Sequence, residues 1–529
     1  MERLLLSVVV LLSTSVWAND LEAIPDKDWI TAPNVVDFQP FVESSEPVPL
    51  GASGKTVTLV NLNRFINRWY LVRMQDHDKY ILFNIENPRA ASQRLALNAR
   101  GQLLLLSHGH EEICPVLGKG TADAEIFAAA AVKDPYVSLC AGRLWLRQAA
   151  GGRQDKINWT AIKPAELFSS APAFSTTTEA ALPPPDALIA KAEVLAKSGN
   201  GFALDADAKG LTAGHWYKAV HFPGVYVSAI RAGLVAPEIL RNHPSQGEDV
   251  VNLMAIDLDE YRFGWNNGTE HPGVGWSSRA QGKGGAGPDG FGNLAPLTFP
   301  GVVSPDEVAR TVGVFTGGFQ RHHSAFKFGP FHDINRSSHY GFMEKGVLMS
   351  TLIPNLASFI IYADGQIDLK TWHLADNARL NTMSDVRQNG LPMIEPGAGD
   401  KGVVNPLVNN WGSGNWSGSG DKKLKTPRTA ACLVEASGKR YLLMTYFASH
   451  TPAGMVPVLL AYGCKYAIHL DMNQPVFAYS AFFTPHGDGG FSVEHLSTSM
   501  APDTVLNGMQ APRWLLTPTY RDFFYVMKK

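Results

Sequence analysis

The runs VYVSAI at residues 225–230 and VVNLMAI at residues 250–256 decide the fold class of this sequence, because both are typical of β-strands. They belong to a unit that begins near residue 213 and extends to about residue 500. Its strands and intervening segments predict a larger mixed α/β domain within an α+β, β-rich fold. The 49 glycines and 34 prolines among 529 residues favour the β-rich class, since both concentrate in turns.

Shorter strand-like runs precede this unit and predict a small N-terminal β domain: Trp69–Val72, Tyr80–Phe83 and Leu103–Leu106. Ser169–Pro185 has the composition of a linker, and Asp186–Lys197 predicts a short helix. We therefore expect five segments along the chain: a signal peptide (1–18), an N-terminal β-rich domain (19–165), a linker with a short helix (166–212), the large domain (213–500) and a C-terminal extension (501–529).

Residues 1–18 have the pattern of a secretory signal peptide. Arg3 supplies a positive charge, Leu4–Leu12 an apolar run and Val16–Ala18 a cleavage site. A membrane anchor is the alternative, although the run is short for a span. No later stretch offers about 18 uninterrupted apolar residues, so we expect no transmembrane segment after signal removal and a secreted or periplasmic location.

The net charge and the cysteine content limit the classes of partner and the cellular compartment that we expect for this protein. The formal net charge is -2, from 46 basic and 48 acidic residues, which argues against a nucleic-acid partner. In an oxidising compartment the four cysteines allow three pairings. The simplest joins Cys114 to Cys140 and Cys432 to Cys464, since each pair lies within one expected domain, and free buried thiols are the alternative. The lack of a C-x-x-C pair argues against a cysteine zinc site or a thioredoxin-like site.

Two long glycine-rich stretches interrupt the large domain, Trp265–Pro300 and Gly390–Lys425. Loops of this length are commonly lids or binding loops, with simple surface insertion as the alternative. These two stretches carry four tryptophans: Trp265, Trp276, Trp411 and Trp416. We expect them to stack against a sugar, with filling of a core as the alternative.

Short motifs exclude several enzyme classes. GKGGAG at residues 282–287 matches a dinucleotide fingerprint, but Pro288 follows where a helix is needed, and GKT at residues 54–56 lacks the first glycine of a phosphate loop. Neither H-E-x-x-H nor G-x-S-x-G occurs, which argues against zinc peptidases and serine esterases. A histidine-rich segment stays a candidate substrate or metal site: His322, His323, His332, Asp333 and His339. Its spacing matches no standard ligand pattern, so we assign no metal and no other cofactor.

The order of several segments over roughly residues 215–500 resembles the phosphodiester glycosidase family. These segments are VGVFTGGF (312–319), GFMEKGV (341–347), SFIIYADG (358–365), PRTA (427–430), YLLMTYF (441–447) and GCKYAIHLD (463–471). The family includes the lysosomal enzyme that uncovers mannose 6-phosphate and many bacterial exopolysaccharide-associated proteins. The resemblance implies a phosphodiester-glycosidase-like fold for the large domain.

Three segments of that family are expected to read N-G-G-F-F, R-T-A and L-D-G-G-G-S-S. This chain has TGGFQ at 316–320, RTA at 428–430 and LDMNQ at 470–474. Thr316 therefore replaces an asparagine, and bulkier residues followed by Pro475 replace the glycine-serine run after Asp471. A glycine-rich turn can close its backbone amides around an anion, and this third segment is not expected to do so in the same way.

The resemblance implies cleavage between an anomeric sugar carbon and a phosphate oxygen. Asp471 is the candidate catalytic carboxylate because it ends a strand-like run, and three histidines are candidates for proton transfer: His469, His322 and His323. Arg428 is the candidate anion clamp, with a structural salt bridge as its alternative. The other candidate substrate-binding residues are Thr316, Gly317, Gly318, Phe319, Thr429, Asn473 and Trp416.

The predicted function is thus that of an exported hydrolase that cleaves a sugar-1-phosphodiester or acts on an envelope glycan. Its expected ligand is a glycan or a sugar phosphate. The alternative is a non-catalytic glycan-binding or envelope-assembly protein with the same fold, because the third segment departs from the family. A metal-dependent hydrolase built on the histidine segment is a third candidate.

Overall fold

The computed structural model of the protein describes residue 36 and residues 39–50, 54–77, 79–114, 136–140, 143–147, 182–185, 193–196, 198–206, 210–268, 301–319, 341–350, 352–399, 401–409, 424–487, 490–506 and 508–529. Within these residues the protein is strand-rich, with several sheets and few helices, which confirms the β-rich prediction.

The strands in chain order are β1 (Glu43–Ser44), β2 (Val48–Pro49), β3 (Thr56–Asn61), β4 (Trp69–Asp76), β5 (Lys79–Glu86), β6 (Arg94–Leu97), β7 (Leu103–Ser107), β8 (His110–Cys114), β9 (Tyr136–Leu139), β10 (Leu144–Arg147), β11 (Val194–Leu195), β12 (Leu211–Thr212), β13 (Tyr217–Lys218), β14 (Val225–Arg231), β15 (Val250–Asp257), β16 (Tyr261–Asn266), β17 (Thr311–Thr316), β18 (Phe342–Glu344), β19 (Val347–Ser350), β20 (Ala357–Tyr362), β21 (Ile367–Thr371), β22 (Met383–Gln388), β23 (Ile394–Pro396), β24 (Gly402–Val404), β25 (Thr426–Ala436), β26 (Lys439–His450), β27 (Ala467–Met472), β28 (Ser480–Pro485), β29 (Phe491–His495), β30 (Thr504–Leu506), β31 (Met509–Ala511) and β32 (Phe523–Lys528). The helices of the described residues are α1 (Ala232–Val235), α2 (Pro237–Asn242), α3 (Pro244–Glu248), α4 (Pro305–Val308) and α5 (Pro452–Ala461), with 3-10 helices at Leu374–Thr382 and Pro406–Asn409.

The largest sheet of the described residues has eight strands in the order β13-β14-β15-β26-β25-β27-β23-β24, and we call it the central sheet. Successive side chains of β14 point to opposite faces, so Val225 and Val227 lie in one core and Tyr226 in another. Because both faces are covered, the run at 225–230 is apolar rather than alternating.

Different layers cover the two faces of this sheet. On one face, Met455 and Leu459 of α5 pack with Leu443 and Phe447 of β26. On the other face lie two five-stranded sheets, of order β16-β32-β17-β28-β29 and β19-β18-β22-β20-β21, whose apolar residues share one core with the central sheet. This stack of layers brings the ends of β17, β22, β27 and the start of β32 close together.

The N-terminal strands form a seven-stranded sheet, in which β1-β3-β4-β5-β10-β9 are consecutive and β2 pairs with β3, and a three-stranded sheet, β6-β7-β8. The runs predicted as strands before residue 107 lie in β4, β5 and β7. Trp69 and Leu71 belong to the same hydrophobic core as Val225 and Met254 of the central sheet. The side chain of Arg68 bonds to Glu86 at 2.7 Å and to Asp306 at 3.2 Å. The two predicted domains therefore contact each other closely, and their boundaries stay predictions.

Three local predictions need correction, and in each case strand pairing overrides the local sequence pattern. Val194–Leu195, inside the predicted helix, form β11 and pair with β12. The stretch Gly390–Lys425 is not one loop, because β23 and β24 form a hairpin within it. The expected C-terminal extension contributes β32, which lies between β16 and β17. The signal peptide, most of the linker and most of both long loops lie outside the described residues.

Both disulfides of the simplest predicted pairing are present. Cys114 and Cys140 are joined with a Cα–Cα distance of 5.2 Å, and Cys432 and Cys464 with one of 5.7 Å. Disulfides are consistent with a secreted or periplasmic protein. Among the helices of the described residues, none has the length and apolar character that a membrane span requires.

Candidate functional site

The glycine turn Gly317–Phe319, which leaves the end of β17, is the centre of the candidate site. The amide of Asp471 in β27 donates to the carbonyl of Gly317 at 3.0 Å, and the amide of Gly317 donates to the carbonyl of Asp522 at 3.0 Å. The amide of Phe319 donates to the side chain of Asn389 at 2.9 Å. Three segments that are distant in the sequence are therefore fastened to one turn.

The carboxylate of Asp522 lies against this turn. Its Oδ2 accepts hydrogen bonds from Nε of Arg387 at 2.8 Å, from the amide of Gly318 at 3.0 Å and from Nε1 of Trp265 at 3.0 Å. Nη2 of Arg387 also donates to the carbonyl of Phe319 at 2.9 Å. Asp522 and Arg387 thus form a buried clamp around the turn, and Trp265 braces that clamp.

The two glycines are required by close packing. A Cβ at Gly317 would lie 2.1 Å from Oδ2 of Asp522, and one at Gly318 would lie 2.5 Å from the guanidinium carbon of Arg387. We expected these glycines to let a ligand approach the backbone. In the structure, the space beside both is occupied by the Arg387–Asp522 clamp.

Asp471 lies beside the clamp and is 2% exposed. Its Oδ1 accepts from the amide of Met472 at 2.9 Å, and its Oδ2 lies 3.3 Å from Nε of Arg521. Burial raises the pKa of Asp471 to about 7, although the charge of Arg521 opposes the rise. Its backbone carbonyl accepts from the hydroxyl of Thr429 at 2.8 Å. This environment makes Asp471 a carboxyl group that exchanges its proton near neutral pH.

An aromatic edge connects Asp471 with the protein surface. The guanidinium carbon of Arg521 lies 4.1 Å from the ring centre of Phe477, and the rings of Phe477 and Tyr520 meet edge to face at 6.0 Å. Arg521 is buried, whereas Tyr520 is 41% exposed. We name Arg521, Phe477 and Tyr520 the aromatic edge.

Arg428 is fully buried on β25, next to β27. Its guanidinium donates to the carbonyl of His450 at 2.7 Å, to the sulfur of Met472 at 2.9 Å and to the carbonyl of Leu424 at 3.1 Å. Burial lowers the pKa of Arg428 to about 9. These three acceptors are uncharged and tie β25 to its neighbours.

His469 is fully buried and precedes the site carboxylate Asp471 by two residues in β27. Its ring meets the ring of Phe319 edge to face at 4.9 Å. Burial, and then the positive charge of Arg428, hold the pKa of His469 well below its ordinary value. The imidazole is therefore neutral at physiological pH. Its backbone carbonyl accepts from the side chain of Asn389, which links β27 to the end of β22.

Asn473 occupies the turn after Asp471, where the family resemblance leads to an expectation of glycine. Its φ is +85°, in the left-handed region, and its amide donates to the carbonyl of Pro427 at 2.9 Å. Asparagine tolerates this region better than most residues other than glycine. The turn therefore adopts a glycine-like conformation without the expected glycine.

The structure brings most of the predicted site residues together. The end of β17 with the glycine turn (Thr316–Phe319), the segment from His469 to Asn473 and the pair Arg428–Thr429 lie on neighbouring strand ends. Thr316 is fully buried, and its amide donates to the carbonyl of Tyr479 at 2.9 Å. His322, His323 and Trp416 lie outside the described residues.

Three charged residues of the site were not predicted from the sequence: Arg387, Arg521 and Asp522. Asp522 immediately precedes the apolar run FFYVMK at 523–528, so the same criterion that selected Asp471 at the end of an apolar run could have found it. Arg387 carries no local signal, because it is one of several polar residues in the short strand β22.

The described part of the chain shows no metal centre at the site. No group of three or more potential ligands among His, Cys, Asp and Glu could hold a metal ion there, and the histidine segment at 322–339 lies outside it. A polar cleft of about 790 Å³ lies elsewhere, beside β20 and β21, and is lined by residues that include Tyr362, Asp368 and Arg379. None of its lining residues is a predicted site residue.

Comparison with known proteins finds no matching family model and no matching curated sequence. Among solved structures, the chain is similar to the catalytic domain of zebrafish N-acetylglucosamine-1-phosphodiester alpha-N-acetylglucosaminidase auto-inhibited by pro-peptide, with 13% identity over 59% of this chain and 85% of that chain and a TM-score of 0.31. It is also similar to a Burkholderia pseudomallei protein described as exported (12% identity, 63% and 87% coverage, TM-score 0.25) and to a hypothetical protein from Synechocystis (10% identity, 92% and 100% coverage, TM-score 0.28). Similarities at this level assign no function to the chain.

Proposed function

We infer that this protein is an exported hydrolase of the phosphodiester glycosidase type that uses Asp471 to cleave a sugar-1-phosphodiester. The observation that carries the proposal is the contrast between two carboxylates at one glycine turn. Asp522 accepts hydrogen bonds from three different residues, so it is held as part of the framework. Oδ2 of Asp471 accepts no hydrogen bond from the described residues and lies within ion-pair distance of Arg521. Asp471 is therefore the carboxyl group available for chemistry.

The electrostatics of Asp471 suit a group that transfers protons. A pKa of about 7 means that the group is ionised in about half of the molecules at neutral pH, which is near the optimum for a general base. In the proposed reaction, the ionised Asp471 takes a proton from the water that attacks the anomeric carbon. The bond from that carbon to the phosphate oxygen breaks, and the phosphate monoester leaves as a stable anion that needs no strong proton donor.

The surrounding residues position this carboxyl group. Gly317 and Thr429 hold the backbone of Asp471 through hydrogen bonds at 3.0 Å and 2.8 Å. The clamp of Arg387 and Asp522 holds the glycine turn. Membership of the phosphodiester glycosidase family and a secreted or periplasmic location are parts of the same proposal, and the two disulfides support the location.

One observation favours a second candidate, a non-catalytic protein that binds glycans or contributes to envelope assembly. Asp471 is only 2% exposed, and the segment after it lacks the glycine-serine run of the family. A fold that has lost turnover would keep the buried clamp and the aromatic edge.

Hydrolysis by the purified secreted protein separates the two candidates. The substrates are methyl phosphodiesters of hexose 1-phosphates and of N-acetylhexosamine 1-phosphates, and the measurement is release of the free sugar. Asp471→Asn is expected to lower kcat/KM by about a hundred-fold or more, since it removes the proton acceptor. His322→Ala and His323→Ala test the histidines that the structure does not describe.

Asp385→Asn is the matched control, because Asp385 is another buried carboxyl group whose pKa burial raises to about 6, and it lies outside the site. It is expected to keep activity close to that of the unaltered protein. Binding of a glycan without release of sugar would reject the hydrolase and support the second candidate.

A further inference from the structure

Arg521 is a buried cation whose hydrogen-bonding capacity the protein leaves largely unused. Arg521 is 3% exposed, and its Nε and Nη1 donate no hydrogen bond to any group among the described residues. A guanidinium group stays charged at any physiological pH and presents donors in a fixed planar fork. Buried donors without acceptors are costly, so an acceptor from outside the chain would stabilise this arrangement.

Other buried arginines among the described residues donate side-chain hydrogen bonds to protein acceptors, whereas Nε and Nη1 of Arg521 do not. Arg387 donates to a carboxylate and to backbone carbonyls, and Arg68 donates to Glu86 and Asp306. Arg428 donates to three uncharged acceptors. The charged neighbour of Arg521 is Asp471, at 3.3 Å, without the alignment of a hydrogen bond.

The residues around Arg521 define where its unused hydrogen-bond donors lie. Phe477 covers one face of the guanidinium, with 4.1 Å between the guanidinium carbon and the ring centre, and it leaves the N–H donors in the plane of the group uncovered by its ring. Tyr520 lies 5.5 Å from the same guanidinium and reaches solvent. Nε lies beside Oδ2 of Asp471, the atom that the proposed function makes reactive.

We propose that Arg521 is an anion-binding residue that receives the phosphoryl oxygens of the ligand at the aromatic edge, next to Asp471. The ligand class is a phosphate ester whose two non-bridging oxygens match the guanidinium fork. The exposed ring of Tyr520 would contact the apolar face of the group attached to that phosphate. The sugar-phosphodiester part of this inference rests on the proposed function, whereas anion binding by Arg521 can be measured without it.

The test measures binding of inorganic phosphate by the full secreted protein, by titration calorimetry and by the shift of Tm, against chloride at equal ionic strength. Arg521→Gln removes the charge and is expected to weaken phosphate binding by about ten-fold or more, because a charge-assisted hydrogen bond contributes at least that factor. Arg521→Lys keeps the charge but loses the planar fork, so we expect an intermediate loss.

Arg513→Gln is the matched control. Arg513 is also a buried arginine stacked on an aromatic ring, at 4.3 Å from Tyr479, but its Nη1 already donates to the carbonyl of Val476. This variant is expected to bind phosphate like the unaltered protein. Far-UV circular dichroism checks that each variant is folded, and Arg521→Lys serves as the test if Arg521→Gln does not fold.

Absence of phosphate binding by the unaltered protein would overturn the inference, and so would equal phosphate affinity in the Arg521 variants. Phosphate binding that depends on Arg521, without hydrolysis of any sugar phosphodiester, would support the anion site and reject the proposed function. Hydrolysis whose KM is unchanged in Arg521→Lys and Arg521→Gln would support the function and reject the anion site.

Discussion

Nε of Arg387 donates to Oδ2 of Asp522 at 2.8 Å, and this pair lies directly against the backbone of Gly317 and Gly318 although the two residues are 135 positions apart in the sequence. The pair connects β22 to the residue that precedes β32, and both to the turn after β17. The carbonyl of Gly317 also accepts a hydrogen bond from the amide of Asp471, so the position of the candidate catalytic carboxylate depends on the Arg387–Asp522 pair.

Gly318→Ala is expected to destabilise the protein by about 1–3 kcal/mol, because overpacking forces a well-packed side chain to move. The new methyl group would lie 2.5 Å from the guanidinium carbon of Arg387. The free energy of unfolding, measured in urea, gives the loss directly. Gly487→Ala is the control, since a Cβ at Gly487 meets no atom within 4 Å, and it should change stability by less than about 0.5 kcal/mol. Equal effects in the two variants would contradict the clamp.

Asp471→Asn is expected to change how stability depends on pH. The folded-state pKa of Asp471, about 7, lies above the unfolded value of about 4, so the unfolded chain releases this proton first and stability falls as pH rises from about 4 to 7. Asn does not titrate. The variant should therefore gain roughly 1–4 kcal/mol relative to the unaltered protein between pH 4 and pH 8.

Urea unfolding of both proteins at several pH values measures this difference. The pKa of Asp471 in the folded protein already includes the effects of its charged neighbours Arg521, Asp522 and Arg387. The contributions of other titrating carboxyl groups cancel, because both proteins contain them. A difference between the two proteins that stays constant with pH would show that the pKa of Asp471 is not raised.

Arg428→Ala is expected to cost about 3–5 kcal/mol of stability, because it creates a cavity and leaves the carbonyls of His450 and Leu424 without their buried donor. Arg440→Ala is the control, since the side chain of Arg440 is 41% exposed, and it should cost less than about 1 kcal/mol. Thermal and urea unfolding give both values. If Arg428 is also an anion clamp, a folded Arg428→Lys variant must lose ligand affinity as well as stability.

Replacement of Cys432 and Cys464 by alanine is expected to cost about 3 kcal/mol, since the bridge closes a loop with a sequence separation of 32. Replacement of Cys114 and Cys140, whose bridge has a sequence separation of 26, should lower the free energy of unfolding by a similar amount. Urea unfolding of each double variant under non-reducing conditions provides the measurement. A loss below about 1 kcal/mol in both would mean that the bridges contribute little to the folded state.

Local sequence patterns predicted much of the secondary structure. The runs at 225–230 and 250–256 form adjacent strands β14 and β15, and the short runs before residue 107 lie in β4, β5 and β7. The residue types of a β-strand reflect the surface on which the strand packs. An apolar run bounded by turn residues therefore predicts a strand even where its partner strand is unknown. The helix expected at 186–197 failed at Val194–Leu195 because strand pairing with β12 is a non-local interaction.

Sequence alone predicted the strand-rich class, offered the observed disulfide pairing as the simplest of three, and singled out the glycine turn and Asp471 as candidate site residues. Only the tertiary structure decided which charged groups surround them. Arg387 lies in a segment without any sequence-based prediction, and Arg521 and Asp522 lie in the predicted C-terminal extension. They meet at the turn because β32 pairs with β17, while the packing of the sheets brings β22 and β27 next to these two strands. Electrostatic environment depends on distance in space, so a pattern that is local in the chain carries no information about it.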